Sequence, residues 1–454
     1  MKQDQGRKEL LVRLHAGRHE IDKNSRRPII RAIFFKESGS NLFYQPLVNC
    51  MHKLTIIHRP INYKWIVMSG VWIQVVVISM MVVSLGIMLP SITEDLNISP
   101  VQAGMLGSAF FVGSASTSLP ASVWVSKYSP KKVTTIALFL AALFMIFQGW
   151  APTFISLFMG RFFFQIAMVG RTVAEVIIIQ QWFTSTQIAV GVSITVGVSM
   201  SGQLIGLASI SLLMELLDGW RNVYYVFGVL ILLTSLYWIV LAKDNNENVG
   251  TKSLSSESPL QVLRRRKVIW IIAAAPSGAA AAWASVLTFF PSYALESLAL
   301  SLDEIGLLLT LFPFGGMIAA FMGGPLSDRI RQRKIFIWGP GVLLPVIYVT
   351  LFTTNSTLLV AFLLFVAGWN AMIWVPIIRT VQYDLGLKPR ETAVSLGLFM
   401  TMMPIGGALG PPIVGVIQEA YGSLQYGLIA ISFLPMTLLF GCFFIPETSP
   451  FRRT

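Results

Sequence analysis

Apolar residues run almost unbroken through most of this chain, and polar ones fall in short clusters between the runs. No Lys, Arg, Asp or Glu occurs between Lys64 and Glu94, between Asp95 and Lys127, or between Lys132 and Arg161. A helix rising 1.5 Å per residue needs about 20 apolar residues to cross the hydrocarbon core of a bilayer, so each run predicts a membrane helix. Twelve runs can be read, at about 65–90, 101–125, 133–150, 154–179, 187–214, 222–242, 268–292, 304–326, 335–352, 357–382, 392–417 and 424–446. The turn TTNST at 353–357 separates the ninth from the tenth. KDNNENVGTKSLSSESPLQVLRRRK, residues 243–267, is polar, rich in Ser and Asn, and ends in a basic cluster. It predicts a cytoplasmic linker between two six-helix bundles, 65–242 and 268–446. Residues 1–64 and 447–454 are then cytoplasmic tails. The expected fold class is an all-α integral membrane protein.

Composition agrees and narrows the chemistry. The chain is 54% hydrophobic and only 12% charged, about half the charge of a soluble protein. All four histidines (His15, His19, His52, His58) precede residue 60, so none is available in the membrane region as a proton relay or metal ligand. Cys50 and Cys442 give neither a disulfide framework nor a metal spacing. No phosphate-binding loop of the Gly-x-x-x-x-Gly-Lys-Ser/Thr kind occurs, which disfavours an ATP-driven pump. No catalytic constellation points to an enzyme, and no cofactor or metal is implied.

Charge fixes the expected orientation. With the N-terminus inside, 30 of the 34 Lys/Arg residues fall on the cytoplasmic side and only Arg221 lies outside. Arg161, Arg171 and Arg379 lie within spans. Both termini are therefore expected in the cytoplasm, with the chain in the plasma (inner) membrane. Residues 1–64 carry 13 Lys/Arg against five Asp/Glu within a total net charge of +13. A basic tail beside an anionic membrane surface accounts for this better than nucleic-acid binding. The tail has no signal-peptide core, and MHKLTIIHRPINYKW, from Met51, reads as a short leader into the first span, a second candidate start.

The two halves repeat each other. Asp328 falls on Ser126 at an offset of 202 residues. Gly406 falls on Gly202, Gly410 on Gly206, and TAVSLG (392–397) on IAVGVS (188–193), at an offset of 204. After the eighth span, GGPLSDRIRQRK carries Gly324, Asp328, Arg329 and Arg333 in the spacing Gly-x-x-x-Asp-Arg-x-x-x-Arg. Arg161 and Gln165 in GRFFFQ form an Arg-x-x-x-Gln pair in the fourth span. Through these motifs the chain resembles the major facilitator superfamily over residues 65–446. The resemblance implies twelve helices in two pseudo-symmetric bundles, alternating access, and a loop after the eighth helix that latches one conformation. In the first half Ser126 and Lys127 stand where the motif has an acid and an arginine, so a latch there is not expected. GQLIGLA (202–208) and GWR (219–221) are similar to the organic anion:proton symporters, although the usual arginine in the first helix is missing. By itself, Gly324 would admit close helix packing, and Asp328 could meet a helix N-terminus.

The fourth span raises the question of function. At 100° per residue, Arg161, Gln165, Arg171, Thr172 and Glu175 share a stripe about 120° wide. Such a stripe must face protein or water, since lipid would penalise it. Arg171 and Glu175, at i,i+4, can pair. Glu175 then suits a proton site and Arg171 an anion partner; a purely structural ion pair is the alternative. Arg161 has a substrate role or a structural and proton-coupling role open to it. Arg379, in the tenth span, is the counterpart of Glu175 at the 204 offset. It either clamps an anion together with Arg171 or snorkels towards Asp384. Gln74, Asn370 and Trp283 are further cavity candidates, with Trp72, Ser277 and Trp374 behind them. The expected function is proton-coupled transport of a small organic anion by a monomer in the lipid bilayer. Efflux of amphipathic drugs and a non-transporting receptor or scaffold are the rival readings.

Overall fold

The computed structural model describes residues 63–125, 128–183, 187–243, 264–385 and 389–448. Residues 1–62 (Met51 among them), Ser126, Lys127 and most of the linker lie outside the described residues. Among the described residues twelve helices follow one another, ten of them long and apolar enough to cross a membrane (all but α2 and α9): α1 (Tyr63–Leu96), α2 (Pro100–Val125), α3 (Pro130–Trp150), α4 (Phe154–Trp182), α5 (Ile188–Leu216), α6 (Trp220–Leu241), α7 (Lys267–Leu298), α8 (Leu302–Ile330), α9 (Ile335–Leu351), α10 (Thr357–Asp384), α11 (Pro389–Tyr421) and α12 (Leu424–Phe444). These are the twelve runs read from hydropathy, most of them extended at one or both ends, while α9 and α12 stop just short of the ends of their runs. Apolar pattern marks only the part inside hydrocarbon, whereas helical hydrogen bonding continues past it.

Local chemistry sets the ends. α4 begins with a capping box in which Thr153 and Ser156 satisfy each other's backbone N–H groups. Ser301 and Glu304 do the same for α8. α3 starts on Ser129 with Pro130 in the first turn, where a missing N–H costs nothing. Two interruptions have a different cause. α7 breaks between Ala274 and Ser277, at Pro276, and α12 breaks between Ile431 and Met436, at Pro435. Proline supplies no N–H to the helical ladder and crowds the preceding turn.

Short connections make neighbouring helices antiparallel. One end of the bundle, here the terminal end, holds Tyr63 and Thr448; the other is the distal end. At the terminal end the Tyr63 hydroxyl donates to the Leu241 carbonyl at 2.7 Å, tying α1 to α6. Between the two halves the most extensive contacts join α2 to α11, followed by α5 to α8 and α1 to α7. They are tightest towards the distal end. A Cβ on Gly86 of α1 would strike the Leu287 carbonyl of α7, and one on Gly306 of α8 would lie 2.5 Å from the Leu207 carbonyl of α5. Only glycine permits such approach at those positions. The Ser108 hydroxyl of α2 donates to the Ala408 carbonyl of α11 across the same seam.

Candidate functional site

A cavity of about 180 Å³ lies between the halves. Its walls include Phe110 and Phe111 of α2, Arg161 of α4, Gln203 of α5, and Trp283 and Thr288 of α7. Among the described residues Arg161 is the one charged side chain lining it. The guanidinium is held from behind: Nε donates to the Leu106 carbonyl at 3.2 Å and Nη1 to the Tyr224 hydroxyl at 2.9 Å. Arg161 is 3% exposed, and no carboxylate pairs with it among the described residues. Trp283 is fixed by stacking on Phe312, with centroids 4.3 Å apart. The arrangement is one cation in an apolar, aromatic chamber, with Gln203 and Thr288 as hydrogen-bonding groups. Of the expected cavity residues it brings together Arg161 and Trp283.

Arg171 and Glu175 are elsewhere. Their side chains pair at 2.7 Å and are 8% and 13% exposed. The Arg171 Nε is buried without a hydrogen-bond partner. Neither residue lines the Arg161 cavity or the one around Arg379. The stripe on α4 is therefore divided: Arg161 serves the cavity, Gln165 packs on α2 beside Gly113, and Arg171 and Glu175 satisfy each other.

Arg379 is exposed in a separate cavity of about 310 Å³ between α5, α8 and α10. Asp384 is not its partner. That carboxylate accepts from Arg333 Nε at 2.8 Å, so the snorkelling pair does not form. The shared clamp does not form in this conformation either, because Arg171 is absent from the Arg379 cavity. A third cavity of about 350 Å³, near the distal end, is bordered by Glu94 and Glu296 and, among the described residues, by no cation. It is electrostatically unsuited to an anion.

The remaining expected cavity residues are engaged or buried in packing. Trp72 Nε1 donates to Thr195 Oγ1 at 3.1 Å, and the Ser277 hydroxyl donates to the Met402 carbonyl at 3.2 Å. Asn370 Nδ2 donates within its own helix to the Val366 carbonyl. Trp374 is buried, and Gln74 is buried with both amide atoms unpartnered. Gln203, Thr288 and the Phe110–Phe111 pair are not among the cavity residues expected from the sequence. A lone amide in α5 is the only one of these that stands out in sequence.

The loop after α8 also departs from expectation. A Cβ on Gly324 would meet no atom within 4 Å, whereas one on Gly323 would lie 3.0 Å from the Ile373 carbonyl. Close packing therefore falls to Gly323. Asp328 does not cap a helix; it pairs with Arg333 at 3.1 Å. Glu447, beyond α12, takes the capping position by accepting from the backbone N–H groups of Arg333 and Lys334 at 2.9 and 3.2 Å. Arg333, bonded to Asp328 and Asp384, is the centre of the cluster. Arg329 is exposed and makes no ion pair among the described residues.

Similarity to known proteins bears on this geometry. The family described as Major Facilitator Superfamily matches residues 71–302 and 278–454. The "Probable galactarate/D-glucarate transporter GarP" of Escherichia coli (strain K12) is 23% identical over 387 residues, covering 75% of this chain and 85% of that protein. The "Hexuronate transporter" of Bacillus subtilis (strain 168) is 23% identical over 372 residues, covering 75% and 85%. Among solved structures, a bacterial homologue of the human lysosomal transporter Spinster, in an inward-facing and unoccupied conformation, superposes with a TM-score of 0.69 at 17% identity, covering 85% of this chain and 95% of that one. Twelve spans, a duplicated six-helix unit, a cavity between the halves and a match along most of the sequence converge: the chain belongs to the major facilitator superfamily and is a multi-pass membrane transporter of that type.

Proposed function

We propose that this protein carries a small organic anion across the membrane by alternating access, with Arg161 as the anion partner. The observation that carries the reading is an uncompensated guanidinium lining the cavity between the two halves. A buried cation without a counter-charge is costly in a membrane, and a bound carboxylate offsets that cost through charge-assisted hydrogen bonds. The printed names of two relatives, a galactarate/D-glucarate and a hexuronate transporter, specify organic acids of this class. The positive-inside excess supports a cytoplasmic terminal end in the plasma (inner) membrane.

The test is thermal stability of the purified protein with D-glucarate, D-glucuronate, inorganic phosphate and tetraphenylphosphonium. A ligand at 100 times its Kd stabilises by about 2.7 kcal/mol. Stabilisation by an organic acid that disappears in Arg161→Gln is the expected result. Stabilisation by the lipophilic cation alone would overturn the reading and favour drug efflux.

Proton coupling is assigned to Glu175. Protonating this carboxylate releases Arg171 from its ion pair, which changes packing on α4 without contact with the cavity. Glu175→Gln is expected to abolish accumulation driven by a pH gradient while sparing exchange of substrate across the membrane. Unchanged accumulation would remove Glu175 from the mechanism.

A further inference from the structure

We propose that the cavity around Arg379 is a second anion site, nearer the terminal end, and that Met200 and Met372 form the partition between it and the Arg161 cavity. The proposal rests on the reading of Arg161 as an anion partner. Met200 of α5 and Met372 of α10 come from opposite halves, and each lines both cavities. Ser193 lies seven residues before Met200 on α5, and Arg379 seven residues after Met372 on α10. At 1.5 Å per residue that displaces the second chamber by about 10 Å. Both helices run to the terminal end in that direction, where α5 begins at Ile188 and α10 ends at Asp384.

The second chamber has the chemistry of an anion site. Arg379 is its only charged lining residue and makes no hydrogen bond or ion pair among the described residues. The nearest acid along its helix, Asp384, is held by Arg333. Ser193 is exposed in the same chamber, and its hydroxyl makes no hydrogen bond among the described residues. A guanidinium and a free hydroxyl together match a carboxylate or another oxyanion. The partition suits a door: methionine is unbranched and flexible, so its thioether can swing aside without disturbing a helix. An anion leaving Arg161 towards the terminal end would then meet Arg379 next.

The experiment uses the full-length protein with Cys50 and Cys442 replaced by alanine and Ser193→Cys introduced. Rates of modification by an anionic methanethiosulfonate (sulfonatoethyl) and a cationic one (trimethylammonioethyl) are measured and normalised to a free thiol. A single nearby positive charge is expected to favour the anionic reagent by about fivefold. Arg379→Gln should bring the ratio towards one, and Arg379→Lys should preserve it. A ratio unaffected by Arg379→Gln overturns the second site. For the partition, Thr288→Cys in the central cavity is expected to react faster once Met372→Ala is added; an unchanged rate overturns it. Neither readout requires a transported substrate. Failure of the Arg161 reading would instead appear as absence of organic-acid stabilisation, with the Ser193→Cys ratio intact.

Discussion

Tyr224 matters because of the hydrogen bond it accepts. Its hydroxyl and the Leu106 carbonyl take two of the five guanidinium N–H groups of Arg161, which leaves both on Nη2 and one on Nη1 for a ligand. Tyr224→Phe deletes one acceptor of a buried charge, at an expected cost of about 1–3 kcal/mol. A lowered melting temperature should accompany weaker anion binding. Arg161→Lys keeps the charge but cannot hold both anchors and present a planar face to a carboxylate. Its expected effect is a loss of about tenfold or more in affinity, measured by ligand-induced thermal shift. The Arg171–Glu175 pair allows a double-mutant cycle. Arg171→Ala strands a buried carboxylate and should destabilise by about 3–5 kcal/mol, whereas Arg171→Ala with Glu175→Ala should cost less. A double mutant costing the sum of Arg171→Ala and Glu175→Ala measured singly would mean that the two groups do not depend on each other.

Helix seams carry the next level of consequence. Gly306 lies so close to the Leu207 carbonyl that Gly306→Val must push α8 away from α5. Overpacking of this kind costs about 1–3 kcal/mol. Because the contact is in the distal half, the substitution should disfavour the distally closed state. Greater reactivity of cysteines placed along the distal α5–α8 seam would show it, and unchanged reactivity would place the seam outside the conformational cycle. At the other end, Arg333 holds the α8–α9 loop to α10. Asp384 is mostly buried and Asp328 is 55% exposed, so most of the cost of Arg333→Ala should come through Asp384, about 2 kcal/mol. Thermal unfolding of Arg333→Ala beside Asp328→Ala would separate the two contributions.

The fold is legible in the sequence because hydrocarbon imposes a simple rule on helix length and polarity. The breaks at Pro276 and Pro435 escape that rule, since a proline in an apolar run leaves hydropathy unchanged. The site is legible only in part. Arg161 can be picked out from its motif, but its contacts with Leu106 and Tyr224 depend on how three helices tilt together. The α4 stripe is right as a polar surface and misleading as a single site. A helical wheel cannot show that Arg171 turns to Glu175 while Arg161 reaches the cavity. Gly324 and Gly323 are adjacent glycines, and only neighbouring atoms decide which one admits α10.

One feature of the Arg161 anchorage reaches beyond binding. Arg161, Leu106 and Tyr224 all belong to the first six helices. Both anchors of the guanidinium thus lie in the half that carries it, so a rigid-body movement of that half would carry it along. On the proposed reading a bound monoanion cancels its charge, so with the Arg171–Glu175 pair intact the loaded protein moves little net charge through the electric field. The empty protein carries the cation uncovered. Moving a full elementary charge across the membrane is worth about 2.3 kcal/mol per 100 mV, and a partial displacement a corresponding fraction. Membrane voltage should thus act on the return of the empty carrier more than on the loaded step, and saturating substrate should quench the transient currents that report it.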